Sequence, residues 1–194
     1  MKNIADDVQV HEKKSIGFWI YLMTDCVLFA SLFATFAVLR NGTNGGPSGA
    51  DLFDLQFVLI ETMVLLTSSF TVGMAVLASH RGYKKQTLAW LAATFVLGLV
   101  FLIMELTEFS QLVAEGNSWQ ASAFLSAFFT LVGTHGLHIA IGLLWMAVMI
   151  VRLWRFKMKK SDLNRLTLLA LFWHFLDVIW IFIFTIVYLI GSMS

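Results

Sequence analysis

The sequence predicts an all-α membrane protein, a polytopic bundle of five transmembrane helices with no soluble domain. Three observations predict it. Charged residues make up 13% of the 194-residue chain and hydrophobic ones 59%, whereas an ordinary soluble domain carries about 25% charged residues. The charged residues are clumped, and the apolar runs between them reach the roughly 20 residues of helix that cross a bilayer. The basic residues, finally, gather in alternate connections between those runs.

The chain opens on a polar stretch, 1–15, read as a cytoplasmic N-terminus. The first span follows at about 16–39. Its apolar run is too long for the core of a cleavable signal, so it is expected to stay as an anchor. The second span is placed at 55–79 and the third at about 88–112, with acidic residues near its end. The fourth, about 121–151, is longer than a membrane needs, so it is tilted or protrudes. The fifth covers 166–190. Residues 16–194 thus read as a single five-helix domain.

Lys and Arg beside the spans set topology, because cytoplasmic loops retain them. Lys2, Lys13 and Lys14 precede span one; Arg81, Lys84 and Lys85 lie between spans two and three. Arg152, Arg155, Lys157, Lys159, Lys160 and Arg165 lie between spans four and five. Of the 13 basic residues, only Arg40 falls on the opposite side. The N-terminus is therefore expected in the cytoplasm and the C-terminus in the periplasm. A net charge of +1 suggests no nucleic-acid partner. The loop 41–54, rich in Gly and Asn and holding the only proline, Pro47, reads as an exposed outer connection. The lone cysteine, Cys26, has no disulfide partner and is expected to be a small buried apolar residue.

Ionisable groups inside spans are costly, and they mark function or specific packing. By depth, Asp25, His135, His138, His174 and Asp177 form a layer around the midplane. Glu61, Glu105 and Glu108 form a second, outer layer. Spacing refines this: residues three or four apart share a helix face. His135 and His138 share one, as do Glu105 and Glu108. His174 and Asp177 also do, so that Asp177 is placed to accept the imidazole proton and fix its tautomer. Glu61 shares a face with Ser68, and Thr62 with Ser69. Each cluster has a plain reading beside a sharper one. The His and Asp layer offers ligands for a metal or a haem, or simply hydrogen bonds that hold a bundle together. Glu108 reads as a carboxylate hydrated near the span end. Asp25, in apolar surroundings, must be protonated, paired or wetted. Gly133, Gly136, Ala140 and Gly142 let neighbouring backbones approach. Trp119, Trp154, Trp173 and Tyr188 fall near span ends, some of them as interfacial anchors.

Two longer segments then carry a resemblance. Val132 to His138, ending in Gly-Leu-His and followed by Gly142, resembles the HGLH signature of subunit III of the haem–copper respiratory oxidases. Phe172 to Trp180 is similar to that family's WHFxDxxW segment. The segments Thr24–Phe29, Leu65–Ser69 and Leu106–Phe109 resemble its other spans, in the same order along nearly the whole chain. The short five-span form resembles the cytochrome o ubiquinol oxidase branch. The resemblance implies an accessory subunit without cofactors of its own, in the bacterial inner membrane. It implies a catalytic partner, subunit I, that carries haem and copper, reduces oxygen and pumps protons, together with other oxidase subunits. It also implies bound phospholipid in a cleft between helices, and support of the partner's stability and proton uptake. The midplane His and Asp residues then become packing core, cleft lining or proton-related groups. Three departures stand out. Asp25 replaces a usual Glu. Glu61 and Glu105 stand where larger members often carry amides. Two helices that precede the first span in larger members have no counterpart. A rival reading, from the ionisable content alone, is a small proton or solute transporter built on the His and Asp layer.

Overall fold

The computed structural model describes residues 4–43, 45 and 54–191, with side chains from residue 15 on. Lys2, the side chains of Lys13 and Lys14, and Pro47 in the outer loop lie outside the described residues.

Five helices account for the fold: α1 (Ile4–Leu39), α2 (Leu55–His80), α3 (Lys84–Ala114), α4 (Ala123–Arg155) and α5 (Lys160–Ile183). The last runs on into a π-helical turn, Phe184–Leu189. No strand occurs among the described residues, and all five helices are long and apolar enough to cross a membrane. The helices outrun the expected spans. The polar segment before residue 16 is itself helical from Ile4 on, since nothing in it breaks a helix that the following apolar run already nucleates. At the other basic end, Arg152 and Arg155 sit in the last turn of α4, where cations complement the helix dipole.

Local chemistry sets the helix ends. Asp54 caps α2, its side chain accepting from the backbone N–H groups of Gln56 and Phe57, and Ser122 caps α4 by accepting from that of Leu125. Gly82 and Gly116 take the left-handed backbone, with φ of 78° and 87°, that lets α2 and α3 end abruptly. Behind them the N–H groups of Tyr83 and Asn117 reach back to the carbonyls of Ala78 and Leu112. At the start of α5, Asp162 accepts from the Lys159 N–H and from the Arg152 guanidinium of the preceding helix. One carboxylate thus caps α5 and ties it to α4.

Helices α2 and α3 form a tight hairpin; α4 packs on α3, and α5 packs on both α2 and α4. Helix α1 lies outside this group, mainly against α4 and less against α5. It contributes a single buried stripe of Leu22, Asp25, Phe29 and Phe36, while most of its other side chains are exposed. Cys26 is on that exposed face, one position round from buried Asp25, which corrects the expectation of a buried thiol. The core is rich in large rings. Trp173, Trp180, Tyr188, Phe101 and Phe128 are all fully buried. Trp173 and Tyr188 are therefore core residues rather than interfacial anchors; of the candidates, Trp119 and Trp154 remain exposed.

Candidate functional site

The ionisable and hydroxyl groups that the sequence singles out gather at four places in the bundle. The first is the antiparallel seam between α2 and α5. The Trp180 indole N–H donates to Thr62 Oγ1 at 3.0 Å, and that of Trp173 to Ser68 Oγ at 2.9 Å. Each hydroxyl passes its own proton to a carbonyl of its helix, Thr62 to Val58 and Ser68 to Leu65. These four side chains are neutral and bonded, the cheapest way to keep polarity out of water. One residue further, Ser69 Oγ pairs with His174 Nδ1. The expected link between His174 and Asp177 is loose, at 4.0 Å. Ser69, not Asp177, orients the imidazole, and both Asp177 oxygens lack a hydrogen bond although the residue is buried.

The second site joins α1 to α4. His138 Nδ1 is 2.7 Å from the Thr134 carbonyl, an acceptor only, so this nitrogen carries a proton. The other nitrogen, Nε2, faces Asp25 Oδ1 across 3.7 Å. The two side chains thus meet across the contact between α1 and α4. Phe29 lies against the His138 ring at 5.3 Å between centroids and helps seal the pair.

His135 is a site to itself. It is fully buried, with both ring nitrogens unbonded among the described residues. Its ring stacks on Trp180 at 5.2 Å and meets the edges of Phe101 and Phe29. The shared face with His138 is real, yet the side chains part company: one meets a carboxylate, the other an aromatic cage.

The fourth site holds the three outer glutamates. Glu61, Glu105 and Glu108 are 0%, 1% and 9% exposed, and they lie close enough to feel one another's charge. Tyr188, from the π-helical turn, donates its hydroxyl proton to Glu108 Oε2 at 2.8 Å, a partner beyond the end-of-span position that the sequence suggests. Glu105 lies over Gly136, where an added Cβ would fall 2.5 Å from its Oε1.

The small residues of α4 therefore seat side chains rather than backbones. Gly136 makes room for Glu105. A Cβ added at Gly142 would fall 3.0 Å from the Trp173 ring, and one added at Gly98 of α3 would fall 2.7 Å from it. Sequence reasoning missed Gly98, Tyr188, Ser69 as the partner of His174, and Asp162. Only Asp162 carried a local signal, an acid in the first turn of a helix. Among the described residues no group of three or more His, Cys, Asp or Glu is arranged to hold a metal ion.

Comparison with known proteins agrees with the architecture. Residues 4–192 match the family described as cytochrome c oxidase subunit III. The chain is 56% identical to cytochrome bo(3) ubiquinol oxidase subunit 3 of Pseudomonas aeruginosa, over 91% of this chain and 85% of that one. It is 46% identical to quinol oxidase subunit 3 of Bacillus subtilis, over 91% and 86%. It is 45% identical to cytochrome c oxidase subunit 3 of Bacillus sp. (strain PS3), over 94% and 88%. With five helices able to span a membrane and bacterial relatives of this kind, it is a multi-pass protein of the bacterial inner membrane. On the family match and these identities together, the chain belongs to the cytochrome c oxidase subunit III family.

Proposed function

We propose that the chain is the accessory third subunit of a quinol-oxidising haem–copper terminal oxidase. The observation that carries this is the 56% identity, over nearly the whole chain, to a subunit named for ubiquinol oxidase. In this reading the catalytic partner, subunit I, holds the haem and copper and carries out the oxygen chemistry. This chain supplies a rigid helical body against it. The N-terminus is cytoplasmic and the C-terminus periplasmic, supported by the basic loops on one side. The satisfied α2–α5 seam and the Asp25–His138 pair serve as packing core. The chain also binds phospholipid. A cavity of about 480 Å³ at the basic end, lined by Arg152, Arg155, Arg165 and apolar side chains, supports that partner, because it offers guanidinium groups beside an apolar wall to a phosphate headgroup and its tails.

A second donor class has a specific observation behind it: the 45% identical relative is named for cytochrome c oxidase. A mild-detergent pull-down through a C-terminal tag tests both. The expected eluate contains a larger polytopic partner and haem absorption bands, reducible by a quinol and not by cytochrome c. Haem bands reducible by cytochrome c alone would replace the quinol donor. A colourless chain that elutes alone would overturn the accessory-subunit reading.

A further inference from the structure

The glutamate cluster concentrates buried polar atoms without a hydrogen bond, of which Asp25, His135 and Asp177 hold the others among the described residues. Both oxygens of Glu61 and both of Glu105 are buried without a hydrogen bond. Buried polar groups almost always find a partner, and each orphaned one costs free energy. No ion pair to the three glutamates occurs among the described residues; the ion pairs there lie elsewhere, at Asp25, Asp162 and Asp177. The groups facing the cluster are likewise unable to neutralise it. Helix α2 offers Glu61, α3 Glu105 and Glu108, and the π-helical turn the neutral hydroxyl of Tyr188. Helix α4 presents Gly136 beside the unbonded His135.

The cluster also has an opening. A cavity of about 280 Å³ at the outer end of α2 and α3 is lined by Asp54, Phe57, Glu108, Gln111, Leu112 and Glu115. Glu108 is its inner wall, and Asp54 and Glu115 carry acid to its mouth. The cavity is roomy enough for several waters and polar enough to hold them. Glu108, which Tyr188 fixes in place, is thus the member of the cluster that reaches the cavity, and the two orphaned carboxyls lie close enough to feel its charge.

We propose that Glu61, Glu105 and Glu108 form a proton-accepting site that exchanges with the aqueous phase through the cavity between Asp54 and Glu115. Each uptake moves one proton from a cavity water to a carboxylate, and the bulk replaces it. Negative charge on the cluster falls by one at each step. Internal water joins the orphaned oxygens and passes protons from Glu108 inward. Gly136 keeps the space in which Glu105 can receive them. The site requires nothing of the oxidase reading, since it is defined by this chain alone.

The test is infrared difference spectroscopy on the full chain, with whatever subunits co-purify, in supported membranes. The pH is stepped in H2O and again in D2O. The expected result is a protonated-carboxyl C=O band that disappears reversibly as pH rises and shifts in D2O. Glu61→Gln, Glu105→Gln and Glu108→Gln, near-isosteric changes, should each remove part of it. Gln111→Trp, at an exposed position on the cavity mouth, should leave the band in place and slow its deuterium shift several-fold. A band unchanged in all three glutamine variants would overturn the proposal. So would a band that those variants remove but that ignores both pH and deuterium, because the carboxyls would then be sealed packing groups.

Discussion

The α2–α5 seam and the outer glutamate cluster lie within the same bundle, and they treat polarity in opposite ways. Along the seam, indoles donate to hydroxyls and hydroxyls donate to their own helix, so that Trp180, Thr62, Trp173 and Ser68 are each bonded. In the cluster, Glu61 and Glu105 leave four oxygens orphaned. A neutral, saturated network specifies how two helices pack and then has nothing left to do. An unsaturated acidic one is retained at a continuing cost, as functional sites commonly are. The contrast separates residues that hold the fold from residues the fold holds in place.

The strongest way to break the comparison is to remove the seam's anchor. Trp173→Ala empties a slot walled by Gly98, Gly142 and Ser68 and should cost about 3–5 kcal/mol. Unfolding titrated with a denaturing detergent, and complex yield, should both fall sharply. Near-normal stability would mean that the seam is not what holds α5.

Gly136→Ala attacks the other region by intrusion. The new methyl would meet Glu105 Oε1, an overpacking penalty of about 1–3 kcal/mol. The double variant with Glu105→Ala should recover most of it in a thermodynamic cycle. Simple additivity would show that the cradle is incidental.

Thr62→Val is a finer probe. It keeps the shape but leaves the Trp180 N–H without its acceptor, for about 1–2 kcal/mol. Stability measured beside Thr67→Val is the check, because the Thr67 hydroxyl is exposed and bonds only its own helix. Equal losses would deny the seam any special standing.

The smallest effect belongs to Ser69→Ala. His174 is exposed, its side chain at 47%, so losing the hydroxyl should cost under about 1 kcal/mol. Imidazole resonances in selectively labelled protein should nonetheless show greater ring mobility.

Much of this was legible beforehand. Five runs of apolar residues became five helices, displaced by a few residues where lysines and arginines stayed helical past the membrane-length core. The segments around His135 and around Asp177 pointed to the family later matched over residues 4–192.

Rotation about each axis was not. When a helix is apolar on every face, its pattern does not say which side turns inward. Cys26 and Asp25 are neighbours in sequence, and only one is buried. Nothing near Glu108 in sequence pointed to its partner, because Tyr188 lies 80 residues away. The expected His174–Asp177 pair obeyed helical spacing and still lost to Ser69, which comes from another helix. Local spacing says which residues can meet, and tertiary packing decides which do.

The wide turn at the end of α5 has a genetic corollary. From Phe184 to Leu189 the helix accommodates more residue per turn, with the Ile190 N–H reaching back five positions to the Thr185 carbonyl. Such a bulge amounts to a single inserted residue within an ordinary helix. Deleting one codon of that stretch ahead of Tyr188 would remove the extra residue and close the turn to an ordinary α-helix, leaving what lies beyond on nearly its present face. The phenol would stay turned toward Glu108, whereas the same deletion in a regular turn of α5 would rotate it away by about 100°; the wide turn is the one place where the helix can lose a residue and keep its face.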